Sequence, residues 1–127
     1  MTEAELDAAI VQLCGDLGLV TLHVREPRRE GGDWAGFPDR IIYGSHPPYV
    51  LYRELKARTG LSSQQKRWRW ILGQAHQDHG VWTPADWQSG QIAEELAALA
   101  GQDASVVVSG EEDPEAAFYR ALYGKRR

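Results

Sequence analysis

Cysteine is almost missing from this chain. Cys14 stands alone among 127 residues, so no internal disulfide can brace the fold, and a lone thiol suits a reducing compartment such as the cytoplasm. Long apolar runs are missing too. None approaches the roughly 20 residues that a membrane helix needs, so no membrane association is expected. The first residues carry Glu3, Glu5 and Asp7 without a base, the reverse of a secretory leader. Neither an internal repeat nor a low-complexity tract is present. Basic charge is in overall deficit, with 14 Lys and Arg against 18 Asp and Glu and a net charge of −4, which argues at first against a nucleic-acid partner.

What is there begins with how that charge is distributed. Residues 1–20 hold four acids and no base, residues 21–70 hold ten bases against five acids, and residues 71–127 hold four bases against nine acids. A basic middle is what a phosphate-tracking surface requires, although a solvated face with scattered charges produces the same count. The length suits one domain with a single core.

The chain is organised around Gly36 to Lys56. Gly36-Phe37-Pro38-Asp39 leads into Ile41-Ile42-Tyr43, a turn at Gly44-Ser45-His46-Pro47-Pro48, and a return through Tyr49-Val50-Leu51-Tyr52-Arg53 to Glu54-Leu55-Lys56. This pattern predicts a β-hairpin. Residues two apart in a strand share a face, so Glu54 and Lys56 are neighbours beyond Val50 and Tyr52. The antiparallel return brings them beside Asp39 at one corner of the sheet. Two readings fit that corner. Asp39 and Glu54 form a hard-oxygen pair suited to Mg²⁺ or Mn²⁺, with Lys56 supplying positive charge. Alternatively, the three make an exposed cross-strand ion pair worth less than about 1 kcal/mol.

Around the hairpin the periodicity is helical. Leu6, Ile10, Leu13 and Leu17 make one apolar stripe, with Thr2 and Glu5 as a capping box and Gly18 as the terminator. Leu19 to Val24 predicts a strand that places His23 opposite Leu22 and Val24, and Pro27 ends it. Arg25 to Asp33 predicts a basic loop in which Arg28 and Arg29, with Arg25, suit phosphate contacts. Ser62 to Gln65 opens a second helix. Gln65 either closes a capping box with Ser62 or leads the sheet-facing row Gln65, Trp68, Ile71, Leu72 and Ala75 toward the hairpin corner. Lys66, Arg67 and Arg69 flank that row, and Trp70 lies on its outer half. His76, Asp78 and His79 predict a helix end at His79-Gly80, followed by a short strand at Val81-Trp82-Thr83. Gln91 to Ala100 predicts a helix through Ile92, Leu96 and Leu99. Beyond it, Ser105 to Ser109 suits an edge strand, and Asp113-Pro114-Glu115 a helix start.

In this order, Leu22-His23, Arg25 to Arg29, Gly36-Phe37-Pro38-Asp39, Glu54-Leu55-Lys56, Gly60-Leu61-Ser62 with Gln65, and Val81 to Trp87 resemble the PD-(D/E)XK nuclease superfamily. Within it they resemble the VRR-NUC, Holliday-junction-resolvase-like group of small phage and bacterial members. Arg40, where an apolar residue commonly follows the Asp, and the Pro47-Pro48 turn depart from the pattern. The resemblance implies an α/β, restriction-endonuclease-like αβββαβ core over residues 1–100, with a mixed sheet flanked by helices. Residues 101–127 would form an extension that serves a dimer contact or is partly flexible. It also implies a Mg²⁺-dependent DNA endonuclease, with Mn²⁺ as a substitute. Asp39 and Glu54 would bind the metal with the Leu55 backbone carbonyl, Lys56 would assist the attacking water, and Glu3 (more than Glu5) would be a further ligand. Gln65, by its place at the head of the sheet-facing row, would join the catalytic group by holding the metal water or the lysine. Arg25, Arg28, Arg29, Arg58, Lys66 and Arg69 would contact DNA. The products would be a 5′-phosphate and a 3′-hydroxyl. Expected companions are branched or Holliday-junction DNA, a role in phage replication, recombination or repair, a homodimer, and the host-cell cytoplasm. The alternatives are a nuclease for flap, nicked or linear DNA, a catalytically inactive DNA-binding module of the same fold, and a structural interaction protein without affinity for DNA.

Overall fold

The computed structural model describes residues 1–24, 34–58 and 60–102. The expected phosphate contacts Arg25, Arg28 and Arg29, and the strand and helix expected after Gln102, lie outside the described residues.

Helix α1 spans Glu3–Leu17. Thr2 accepts a hydrogen bond from the Glu5 amide, the Glu5 carboxylate accepts one from the Thr2 amide, and Gly18 stops the helix at φ 75°. The first end is therefore set by side-chain hydrogen bonds and the second by a glycine backbone at positive φ. Strands β1 (Val20–His23), β2 (Arg40–Tyr43) and β3 (Val50–Leu55) form an antiparallel meander. Helix α2 (Ser63–Gln74) then crosses over and delivers β4 (Asp78–Trp82) parallel to β3. Two helices finish the described chain, α3 (Pro84–Gln88) and α4 (Gln91–Ala100). The result is an α/β fold with a four-stranded mixed sheet in the order β1-β2-β3-β4. No described helix is long and apolar enough to cross a membrane.

The core lies on one face of this sheet. Leu6, Ile10, Leu13, Cys14 and Leu17 of α1 pack with Ile42, Leu51, Leu55 and Trp82 of the sheet and Ile92, Leu96 and Leu99 of α4. Each fully buried Leu or Ile contributes about 1.5–3 kcal/mol. On the opposite face α2 gives thinner cover. Leu72 is its one buried residue, and Gln65, Trp68 and Ile71 are half-buried, with Gln65 over Glu54. Ala75, the last of the expected sheet-facing row, is exposed and caps the helix instead.

The expected helix end at His79-Gly80 is corrected. The helix stops at Gln74, where the Ala75, His76 and Gln77 amides donate to the carbonyls of Ile71, Gly73 and Leu72 and His76 takes φ 59°. That release lets Asp78, His79 and Gly80 pair with Leu51, Tyr52 and Arg53. The deciding force is the ladder hydrogen bonding available beside β3, which a local pattern does not report.

Two of the ten bases in the basic middle are also reassigned. Arg40 and Arg53 lie on the core face, and each is paired. Arg40 makes a two-pronged ion pair with Asp7 of α1, at 2.7 and 2.8 Å. Its hydrogen bonds hold the Asp7 carboxyl below the usual carboxylate range. Arg53 reaches Asp78 at 2.7 Å and Glu95 of α4 at 2.9 Å, with its guanidinium 5.0 Å from the Trp82 ring centroid. Neither is on offer to a phosphate. The unusual Arg40 after Asp39 thus has a structural cause, because it ties β2 to α1.

Candidate active site

The hairpin corner assembles as the alternation predicts. Arg40 pairs with Arg53 across β2 and β3, so Asp39, one residue earlier, sits opposite Glu54. Asp39 Oδ2 accepts a hydrogen bond of 2.8 Å from the Leu55 amide, an anchor that fixes the carboxylate against the end of β3. The Asp39 and Glu54 carboxyls are close neighbours that perturb each other's ionisation.

Burial and proximity make this pair electrostatically unsatisfied. Glu54 is 7% exposed. Burial first, then the Asp39 carboxylate beside it, push the Glu54 carboxyl up to about 8. Burial likewise raises Asp39, against the opposing pull of the Leu55 amide, and the charge of Glu3 raises both. Two carboxylates that close cannot both ionise cheaply near neutral pH without a cation. Lys56 supplies part of the compensation, since its charge draws Glu54 back down. Its backbone is held in place by donation to the Trp82 carbonyl at 3.0 Å.

Two helix N-termini frame the pair. From α1, Glu3 Oε2 accepts from the Ala57 amide at 3.2 Å, while Glu5 is occupied in the cap. Glu3 thus lies at this corner, and Glu5 is turned to the cap. From α2, Gln65 closes the capping box and also reaches the hairpin corner. Its Oε1 accepts the Ser62 amide at 2.8 Å, and its Nε2 donates to Glu54 Oε2 at 2.7 Å. Gly36 lets these parts come together. At φ 82° its Cα lies so close to α2 that an added Cβ would fall 2.4 Å from the Gln64 carbonyl carbon.

A cavity of about 280 Å³ opens at the corner, lined by Glu3, Ala4, Asp7, His23, Asp39 and Leu55. Behind Glu54, a space of about 10 Å³ is lined by Gln65, Arg69 and His79 among others. Among the described residues no three His, Cys, Asp or Glu side chains gather into a cage for a cation. The donor set is two carboxylates with a third nearby and a backbone carbonyl at Leu55. That composition fits a Mg²⁺-type ion, which keeps several positions for water and phosphate. The raised proton affinity of the pair is also what a divalent cation would offset.

Of the expected DNA contacts that are described, Arg58, Lys66 and Arg69 are all exposed, the last two on α2. Sequence reasoning gave no weight to Arg53 or to Trp34. A signal for Arg53 existed, since it shares a strand face with the apolar Leu51 and Leu55 and must find partners there. No protein-family model matches the chain, and neither does any curated protein or solved structure.

Proposed function

We propose that the chain is a metal-dependent phosphodiester hydrolase. More narrowly, it would be a DNA endonuclease of the PD-(D/E)XK type, close to the VRR-NUC and Holliday-junction-resolvase-like group, with a restriction-endonuclease-like core. The observation that carries this reading is the contact between Asp39 and Glu54, with Lys56 two residues on and Gln65 bound to Glu54. The element order α1-β1-β2-β3-α2-β4, with its mixed sheet, supports the same reading.

Asp39, Glu54 and the Leu55 carbonyl would hold Mg²⁺ or Mn²⁺, with Glu3 beside them. When bound, such an ion polarises a phosphoryl oxygen and acidifies water. The chain's own residues do the rest. Asp39 is pre-oriented by the Leu55 amide and Glu54 by Gln65, so neither carboxylate has to reorganise when substrate arrives. The Lys56 ammonium places positive charge where negative charge develops as water attacks phosphorus in line. The P–O3′ bond then breaks, leaving a 5′-phosphate and a 3′-hydroxyl.

The test is incubation of labelled linear, nicked, flapped and four-way-junction DNA with the protein in Mg²⁺, Mn²⁺ or chelator. Cleavage should require the metal. In Glu54→Ala and Lys56→Ala it should fall by at least about 100-fold, the scale of one lost electrostatic contributor, with the fold intact by circular dichroism. Lys56→Ala cutting at the normal rate would remove its role. DNA binding without cleavage under any divalent ion would favour an inactive binding module.

A further inference from the structure

An aromatic shelf runs outward from the site. Tyr52 shares the face of β3 with Glu54, two residues away. Phe37 meets it edge-on at 6.2 Å, and meets Trp68 edge-on at 4.8 Å and Trp34 edge-on at 5.4 Å. Trp34 and Trp68 are stacked, 6.2 Å apart and inclined by only 12°. Only the outermost ring is open. Trp68 is half-buried, and Trp34, at the shelf's outer end, is 53% exposed. This large ring is left open to solvent while it packs on Phe37 and Trp68.

The surroundings are cationic. Helix α2 carries Lys66, Arg67 and Arg69 and not one acid. All three are exposed, and the Arg67 guanidinium lies 5.6 Å from the Trp68 ring centroid. Trp68 is one turn along the helix from Gln65, the residue that holds Glu54. With a rise of about 1.5 Å per residue and one ring-to-ring step outward, the open ring of Trp34 stands roughly 10–15 Å from the carboxylates. That is the span of about three to four nucleotides at ~3.4 Å each.

We propose that Trp34 is a stacking platform for an unpaired nucleobase, with Lys66 and Arg67 contacting the flanking phosphates. The substrate is then DNA with a single-stranded branch, such as a flap or fork, in preference to a fully paired duplex or junction. This rests on the nuclease reading above and selects among its substrates. Parallel aromatic rings set among cations are how proteins hold single strands without reading their sequence.

The test uses the full chain in chelator, so that binding is separated from cutting. The ligand is a forked duplex with 2-aminopurine at successive unpaired positions, compared with the same duplex fully paired. The wild type should bind the fork more tightly and quench 2-aminopurine at one or two positions. Trp34→Ala should lose the quench and bind the fork roughly 10-fold or more weakly, on the scale of one lost base stack. Trp34→Phe should keep most of both. Lys66→Ala should weaken binding to fork and duplex alike and reduce its salt dependence. Trp34→Ala binding the fork within twofold of wild type, with the quench intact, overturns the platform. If the wild type also cleaves DNA with Mg²⁺, the nuclease reading survives that loss. A wild type that neither binds nor cuts any of these DNAs overturns both.

Discussion

The amide of Gln65 joins two structures at once, its oxygen closing the cap of α2 on the Ser62 amide and its nitrogen donating to Glu54 at 2.7 Å. A residue that only capped the helix could equally be Glu. A residue that also touches Glu54 cannot, because a second carboxylate there would face the first.

Replacing Gln65 separates the two roles. Gln65→Ala should lower stability by about 1 kcal/mol through the lost cap and reduce cleavage. Gln65→Glu should retain the cap but raise the proton affinity of Glu54 further, with cleavage at neutral pH falling roughly 10-fold or more and the alkaline shift visible in the pH–rate profile. Thermal melts read the first effect and cleavage rates the second. Wild-type rates in Gln65→Glu would leave the amide with capping alone.

Without metal, stability should depend on pH through Glu54. Its carboxyl is raised from an ordinary 4.5 to about 8, so the folded chain keeps a proton that the unfolded chain releases. The sign follows from linkage. This contribution is largest below about pH 4.5, is lost progressively as pH rises toward 8, and levels off above that. At about 1.4 kcal/mol per pH unit across that window, the total is on the order of 5 kcal/mol. Urea unfolding in chelator from pH 5 to 8.5 measures it, and Glu54→Gln should flatten the slope. Metal affinity should run the opposite way, rising by up to about tenfold per pH unit across the same window as the ion displaces the proton.

Arg53 should matter for the fold. It is 6% exposed and bridges Asp78 and Glu95, joining β3, β4 and α4. Removing it leaves two acids facing a gap over Trp82. Arg53→Ala should cost about 3 kcal/mol, somewhat less than the loss of a fully buried pair because both acids keep some solvent. Arg53→Lys should recover part of that, since one ammonium cannot reproduce the planar fork. Chemical denaturation of both variants checks the order.

Gly36 gives a test of how closely the pre-hairpin segment must approach α2. Gly36→Ala combines a positive φ with a Cβ set against backbone atoms of Gln64 and Gln65. It should cost about 2 kcal/mol or more, and by displacing Gln65 it should reduce cleavage as well. At Gly60 an added Cβ meets nothing within 4 Å, so Gly60→Ala should stay within about 0.5 kcal/mol of wild type.

Much of the architecture was legible because it is written in short-range patterns. The stripe of Leu6, Ile10, Leu13 and Leu17, the Thr2–Glu5 box and the Gly18 stop describe α1 almost to the residue. The antiparallel return of the hairpin brought Asp39 and Glu54 to one corner of the sheet, while their register came only from the folded strands, and Ile92, Leu96 and Leu99 marked α4. The helix end read at His79-Gly80 failed for a physical reason. Nothing local distinguishes a helix terminus from a strand whose stability comes from the neighbouring β3 ladder.

By itself, then, the order of residues determined the helix caps, the hairpin and the identity of the groups at its corner, since each depends on neighbours a few positions away or on a period of two. The folded chain decided which charges meet. It turned Arg40 and Arg53 inward onto Asp7, Asp78 and Glu95, and it gave Gln65 a second partner in Glu54. Those partners lie 11 to 42 positions apart along the chain. Pairing over such separations depends on which faces pack together, and that is a property of the assembled sheet and helices.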